Sequence, residues 1–348
     1  MDFISDTIVR TPYSGMVHIE DVAPITAHPH FQRLKRMRQT GLVYTVYPGA
    51  THTRYEHSLD TFQTTRNIAV KSLNVGINLS PAELSLLFIL ALIHDVSHGP
   101  YSHQSEFILQ QYTGKTHDDL FMSTVEQHFK NTIKKFSLQD LEKVYRSPVF
   151  EIINAVHGTD KLSYMRGDRA HIFGELMDIE PLLTWSAYSP ENGFCINEEG
   201  VQSLRTYLEE WYQMHNDAYG QKAVLANYTL LHRAMDTLVK DGVIELSQLM
   251  GMTDDEVNNA ILSHPTASTL LRRIFDGPDY WYKPIVTFKM EGHESNEVKE
   301  RGKGIEIVPV NRGQASGLSE IKNNHDMTEI ERELFEKFAI LSGTGVHR

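Results

Sequence analysis

Cysteine is nearly absent: Cys195 is the only one in 348 residues. An intramolecular disulfide and a thiolate zinc ribbon are therefore excluded, and a reducing compartment is implied. No apolar run approaches the roughly 20 residues that span a bilayer. The start, MDFISDTIVR, has no basic stretch leading into a long apolar one, so the expected location is the cytoplasm. Basic charge is also short: 33 Lys and Arg face 45 Asp and Glu, a formal charge of -12. A field of that sign repels polyanions, so neither a membrane surface nor stable duplex nucleic acid is an expected partner. A smaller phosphorylated ligand needs local cations or a metal. No internal repeat or low-complexity tract interrupts the chain.

What is present is histidine, 18 in all, nine of them between His52 and His171. Even scatter would place about six in that third of the chain, so their spacing is more informative than their number. HDVSHGPYSH, residues 94–103, follows LSLLFILALI, an apolar body that reads as a buried helix entered through Ser80-Pro81 and Glu83. Adjacent helical side chains diverge by about 100°, so His94 and Asp95 can share an ion only at a helix end. On the dipeptide alone, a simple cap on a core helix remains the ordinary reading.

Two further segments change the balance. GATHTRYEHSLD carries Arg54, Glu56 and His57; TDKLSYMRGD carries Asp160, Lys161, Tyr164 and Asp168. Positions 160, 164 and 168 are successive i, i+4 steps and share a helical face.

The periodicities predict a mainly α protein. A short β-hairpin lies at about 6–20. Helices follow near 54–73, 80–93, 100–112, 116–136, 148–156 and 160–175, and the longest runs over 200–240. YWYKPIVTFKM and GIEIVPV read as strands and MTEIERELFEKFAIL as a final helix. The expected division is a first domain over 1–245 and an α+β C-terminal lobe over 246–348.

The segments FQRLKRMRQTGLVYTVYPGATHTRYEHSL, LIHDVSHGPYSH and DKLSYMRGD resemble the HD-domain phosphohydrolases. Within these, the likeness is to the deoxynucleoside triphosphate triphosphohydrolase branch, and it runs from about residue 6 to 240. The resemblance implies an HD helical bundle and a divalent metal (Mn, Fe, Co, Ni, Zn or Mg) on His57, His94, Asp95 and Asp160. It implies a nucleotide substrate, a dNTP in this branch, and a homo-oligomer. His98 and His103 would meet the α-phosphate, with His103 protonating the leaving 5′-oxygen and the His117-Asp118 pair orienting it. Arg54 and Lys161 would neutralise phosphate; Tyr164, Asp168 and Gln39 would hold the deoxyribose; His215, Tyr219 and Lys222 would lie toward the outer phosphates and base. His171 and His232 read as structural.

Several residues depart from the family pattern. Trp211 stands where an arginine gripping the terminal phosphates is expected, Ser97 and Asp60 replace glycines, and Ser163 replaces an aspartate. None removes a metal ligand. Two alternatives stay open: an HD phosphohydrolase for nucleoside monophosphates, cyclic or modified nucleotides, and a non-catalytic nucleotide-binding protein.

Overall fold

The computed structural model describes residues 8–73, 79–133, 136–189 and 193–275. These are mostly helical, with two small antiparallel hairpins. The strands expected in YWYKPIVTFKM and GIEIVPV, and the last helix, lie outside the described residues.

The first hairpin pairs β1 (Ile8–Thr11) with β2 (Gly15–His18), Ile8 facing His18 and Thr11 facing Gly15. Two adjoining helices then form the frame. α1 (Arg54–Leu73) packs along α2 (Pro81–Ile93). The start of α2 is a full capping box: Ser80 Oγ accepts from the Glu83 N–H, and Glu83 returns a bond to the Ser80 N–H. Its body is apolar on every side because neighbours surround it: Leu87, Leu90, Leu92 and Ile93 are fully buried. Each such side chain contributes about 1.5–3 kcal/mol of burial, so the end of α2, where His94 follows, is firmly placed.

α3 (His103–Thr113), α4 (His117–Phe129) and α5 (Leu138–Tyr145) follow. α6 (Thr159–Phe173) packs against α1 and stops at Gly174, whose φ of +73° forms a left-handed cap. A second hairpin, β3 (Ser186–Ser189) with β4 (Gly193–Ile196), was not expected; its four-residue strands carry too short an alternation to stand out between helices.

The single long helix expected over 200–240 is instead two. α7 (Val201–Gln213) runs into a π-helical segment, Met214–Tyr219, and α8 (Lys222–Lys240) restarts after Gly220. Gln221 makes the restart: its side chain accepts from the Ala223 and Val224 N–H groups. The helix expected at 116–136 ends sooner, at Phe129. α9 (Leu246–Gly251), α10 (Asp254–Ser263) and α11 (Ala267–Phe275) complete the described chain, with α11 lying against α8.

Among the described residues two main apolar cores result, beside a minor one of Val43, Ala50 and Val224. The larger holds α1, α2 and α6 together and includes Val96; the smaller joins α8, α10 and α11 and includes Tyr101. The segment 94–103 lies on the seam between them.

Candidate metal centre and histidine cluster

Three elements converge on one point. His57 sits in the first turn of α1, His94 caps the end of α2, and Asp160 opens α6. His57 Nε2 lies 3.1 Å from His94 Nε2 and 3.0 Å from Asp160 Oδ1, and His94 Nε2 lies 3.4 Å from the same oxygen. Donor atoms held at about 2.0–2.1 Å from one divalent ion are separated by about 2.8–3.0 Å at octahedral angles and about 3.3–3.4 Å at tetrahedral ones. The three atoms therefore fit one ion. The tautomer fits too: His94 Nδ1 donates to the Ala91 carbonyl at 2.8 Å, so neutral His94 presents the Nε2 lone pair to this point. Mixed imidazole and carboxylate donors suit a divalent metal, from Mn to Zn, without fixing which.

Asp95 stands behind this triplet, one oxygen 3.5 Å from His57 Nε2 and the other 3.5 Å from His94 Nε2. It is 5% exposed and accepts from Arg54 Nη1 at 2.6 Å. Burial disfavours its charge, but Arg54 and His94 outweigh this and hold the carboxyl well below the usual range. Asp160 is likewise held low despite burial, by Lys161 and by the bonds from His57 and His94. Burial alone would depress His94; Asp95 and Asp160 raise it instead, to about 9.

A second cluster adjoins the first through Asp95, whose Oδ1 lies 3.4 Å from His98 Nε2. His98, His103 and His117 gather there. The His98 and His117 rings stack at 3.8 Å with 23° between planes. An ion on a ring nitrogen lies in the ring plane, and nearly parallel planes that far apart share no such point, so this cluster suits proton handling better than a second ion.

Glu106 is what organises it. Its carboxylate accepts from His103 Nδ1 at 2.8 Å and His117 Nδ1 at 2.7 Å. Burial opposes its charge, yet the two histidine bonds hold it far below the usual range. His117, which burial would lower, is raised by Glu106 and Asp118. The sequence reading gives the orienting role to Asp118. Glu106 makes the shorter contact, 2.7 Å to His117 Nδ1, while Asp118 is 71% exposed and 3.4 Å from His117 Nε2. The signal was available: Glu106 follows His103 by three residues, one helical turn.

The remaining predicted residues divide. Lys161 Nζ lies 3.0 Å from Asp160 Oδ2 and donates to Asn154 Oδ1 at 2.8 Å. Arg54 is buried with its charge committed to Asp95 and its Nε donating to Ser102 Oγ at 2.8 Å. Tyr164 accepts from Trp211 Nε1 at 2.8 Å. Asp168 accepts from His52 Nε2 at 2.7 Å and from the Tyr219 hydroxyl. His52, buried and not singled out in the sequence, is thus part of this wall, and His171, expected to be structural, stacks on it at 4.2 Å. His215 donates from Nδ1 to the Trp211 carbonyl, and burial lowers its pKa to about 4. Gln39 turns a buried, unpartnered Oε1 inward. Lys222 is exposed at the start of α8. His232 meets Gln111, away from this group.

Residues 54–182 match the family described as HD domain. The chain carries an HD domain. An uncharacterized protein of Methanocaldococcus jannaschii is 29% identical over 73% of this chain and 53% of its own length. The Dictyostelium discoideum protein named deoxynucleoside triphosphate triphosphohydrolase SAMHD1 homolog is 22% identical over 78% of this chain and 55% of its own. The solved structure of a phosphohydrolase from Bacteroides thetaiotaomicron shares the fold, with a TM-score of 0.65, 22% identity, and 77% of this chain and 76% of that one covered. The chain spans between about half and three fifths of the curated relatives it matches first. The likeness to the HD family spans residues 54–182, somewhat over a third of the chain. Among the described residues, no helix is long and apolar enough to cross a membrane.

Proposed function

We propose that this protein is a metal-dependent phosphohydrolase that converts deoxynucleoside triphosphates to deoxynucleoside and tripolyphosphate. The observation that carries the reading is the juxtaposition of the His57, His94 and Asp160 donor atoms, within 3.0–3.4 Å of one another, with the Glu106-linked histidines. His57, His94 and Asp160 would hold the ion, with Asp95 beside them. Once bound, such an ion supplies Lewis acidity toward a phosphoryl oxygen and a water of lowered pKa.

The chain's own groups supply the rest. Water oxygen adds to the α-phosphorus as its proton passes to solvent, the bond from phosphorus to the 5′-oxygen breaks, and His103 delivers a proton to that oxygen, to be reprotonated from solvent afterwards. Glu106 holds the Nδ1 side of His103, leaving Nε2 to face the substrate. His98 and His117 offer further donors to charge that builds on the phosphate. Tyr164, Asp168 and Gln39 would hold the deoxyribose, and Tyr219 steadies Asp168.

A second reading has its own observation. Arg54 and Lys161 are both paired with carboxylates, and His215 is neutral with its pKa near 4. Trp211 occupies the place of the expected arginine and is bonded to Tyr164. That is little positive charge for a triphosphate tail, and it favours a nucleoside monophosphate or cyclic nucleotide. Phosphorus NMR separates the two. With Mn²⁺ and each dNTP, tripolyphosphate that disappears in Asp160→Ala supports the first; inert dNTPs with turnover of a monophosphate or cyclic nucleotide support the second.

A further inference from the structure

His98 and His103 flank a turn that does not hold its own shape. Tyr101 and Ser102 have φ of +55° and +59°, a region side chains other than glycine rarely adopt. Ser102 is the residue that precedes α3, so its backbone sets where His103 and, one turn on, Glu106 point. Gly99 allows the same tightness: a Cβ there would come 2.5 Å from Ser105 Oγ.

The turn is held from α10, beyond the residues that match the HD family. Asp254 Oδ1 accepts from the Tyr101 N–H at 2.7 Å, and Oδ2 accepts from the Arg38 N–H at 2.9 Å. The Tyr101 hydroxyl donates to Asn258 Oδ1 at 2.7 Å. Asp254 and Asn258 are four residues apart and share one helical face. A second tie runs through the buried Arg33 guanidinium. It donates to the Val96 and His98 carbonyls on one side and to the Met250 and Met252 carbonyls on the other.

An acidic residue at the start of a helix is ordinarily a cap, but α10 has another. Thr253 Oγ accepts from the Glu256 N–H, and Glu256 answers to the Thr253 N–H. Asp254 instead gives both oxygens to backbone N–H groups of two other segments while 1% exposed. Burial pushes its pKa up to about 6, against the pull of those two bonds.

We propose that Asp254 is a positioning residue that fixes the Tyr101–Ser102 turn and through it the aim of His98 and His103. The inference rests on the reading of His103 as the acid, and the measurements below separate the two. Asp254→Asn turns an NH₂ toward one of two N–H donors, so the turn loses an acceptor. In the full-length protein we expect the imidazole nitrogen resonances of His103 and His117 to move while Mn²⁺ affinity, measured calorimetrically, stays within about threefold. With Mn²⁺ and a dNTP, kcat should fall about tenfold or more with KM nearly constant. In a His103→Ala background the same substitution should cost much less, the remainder passing through His98. Equal falls in both backgrounds, or unmoved imidazole resonances, would overturn the proposal. A His103→Ala protein of undiminished kcat would sink the acid assignment instead, and Asp254 would then stand or fall on the resonances. Should Asp254→Asn not fold, Tyr101→Phe keeps the buried ring, removes only the Asn258 bond, and is expected to shift the same signals.

Discussion

Glu106 is bonded twice to His117: Oε1 accepts from the imidazole Nδ1 at 2.7 Å and from the backbone N–H at 3.2 Å. The other oxygen takes His103. One half-buried carboxylate thus fixes two imidazoles and the start of α4 together.

Glu106→Gln should therefore do more than remove a charge. Without it, burial dominates at His117 and the pKa falls. With the Nδ1 anchor of His103 also weakened, kcat at pH 8 should drop by about 10²-fold or more. The stability consequence has a definite sign. A histidine whose folded pKa is raised contributes below its unfolded value of about 6.5, and that contribution is lost as pH rises through the folded value. Urea unfolding between pH 6 and 9 should show a shallower decline in Glu106→Gln than in the wild type, the remainder coming from His94, which Asp95 and Asp160 raise in both proteins.

Arg54 and Asp95 form a buried pair at 2.6 Å with side chains 3% and 7% exposed. Removing the cation strands the anion, which costs about 3–5 kcal/mol. Arg54→Ala should show that loss in urea melts. Arg54→Lys should recover only part, because one ammonium does not reach both Asp95 and Ser102 as the guanidinium does. An Arg54→Ala protein as stable as the wild type would contradict the pairing.

Metal binding should stabilise the fold by mass action, about 2.7 kcal/mol at a free metal concentration of 100 Kd. Thermal melts with Mn²⁺, Zn²⁺ and EDTA should separate for the wild type and coincide for Asp160→Ala. The ion giving the largest shift identifies the preferred metal. Separated melts in the mutant would place the metal elsewhere.

Trp211→Phe deletes the bond to the Tyr164 hydroxyl but keeps an aromatic ring over His215. Stability should change by about 0.5–1.5 kcal/mol. Trp211→Arg should raise kcat/KM for a triphosphate relative to the corresponding monophosphate. An unchanged ratio would remove Trp211 from substrate discrimination.

Much of the site was legible because its residues are local and chemically distinctive. Periodicity puts His94-Asp95 at a helix end and Asp160, Tyr164 and Asp168 on one helical face, but it was the family resemblance, not the spacing, that implied they act together with His57. Contacts between remote segments were not legible. Nothing in sequence spacing brings His52 to Asp168, 116 residues away, or Asp254 to Tyr101, 153 away. The break at 214–221 was hidden for a different reason: a single π-helical turn slips the apolar pattern by only about one residue, so only Gly220 marked it. Arg54 was read by its charge alone, and its partner could not be inferred from that.

The seam between the two cores gives the site an unequal pair of supports. Residues 94–98 hang from the larger core and Tyr101 from the smaller. A partial opening that frees only α9–α11 would leave the donor triplet standing while slackening the turn before His103. Mild denaturant should then silence turnover before it releases the ion or unfolds α1 and α2. The protein would pass through a folded, metal-loaded and inactive state.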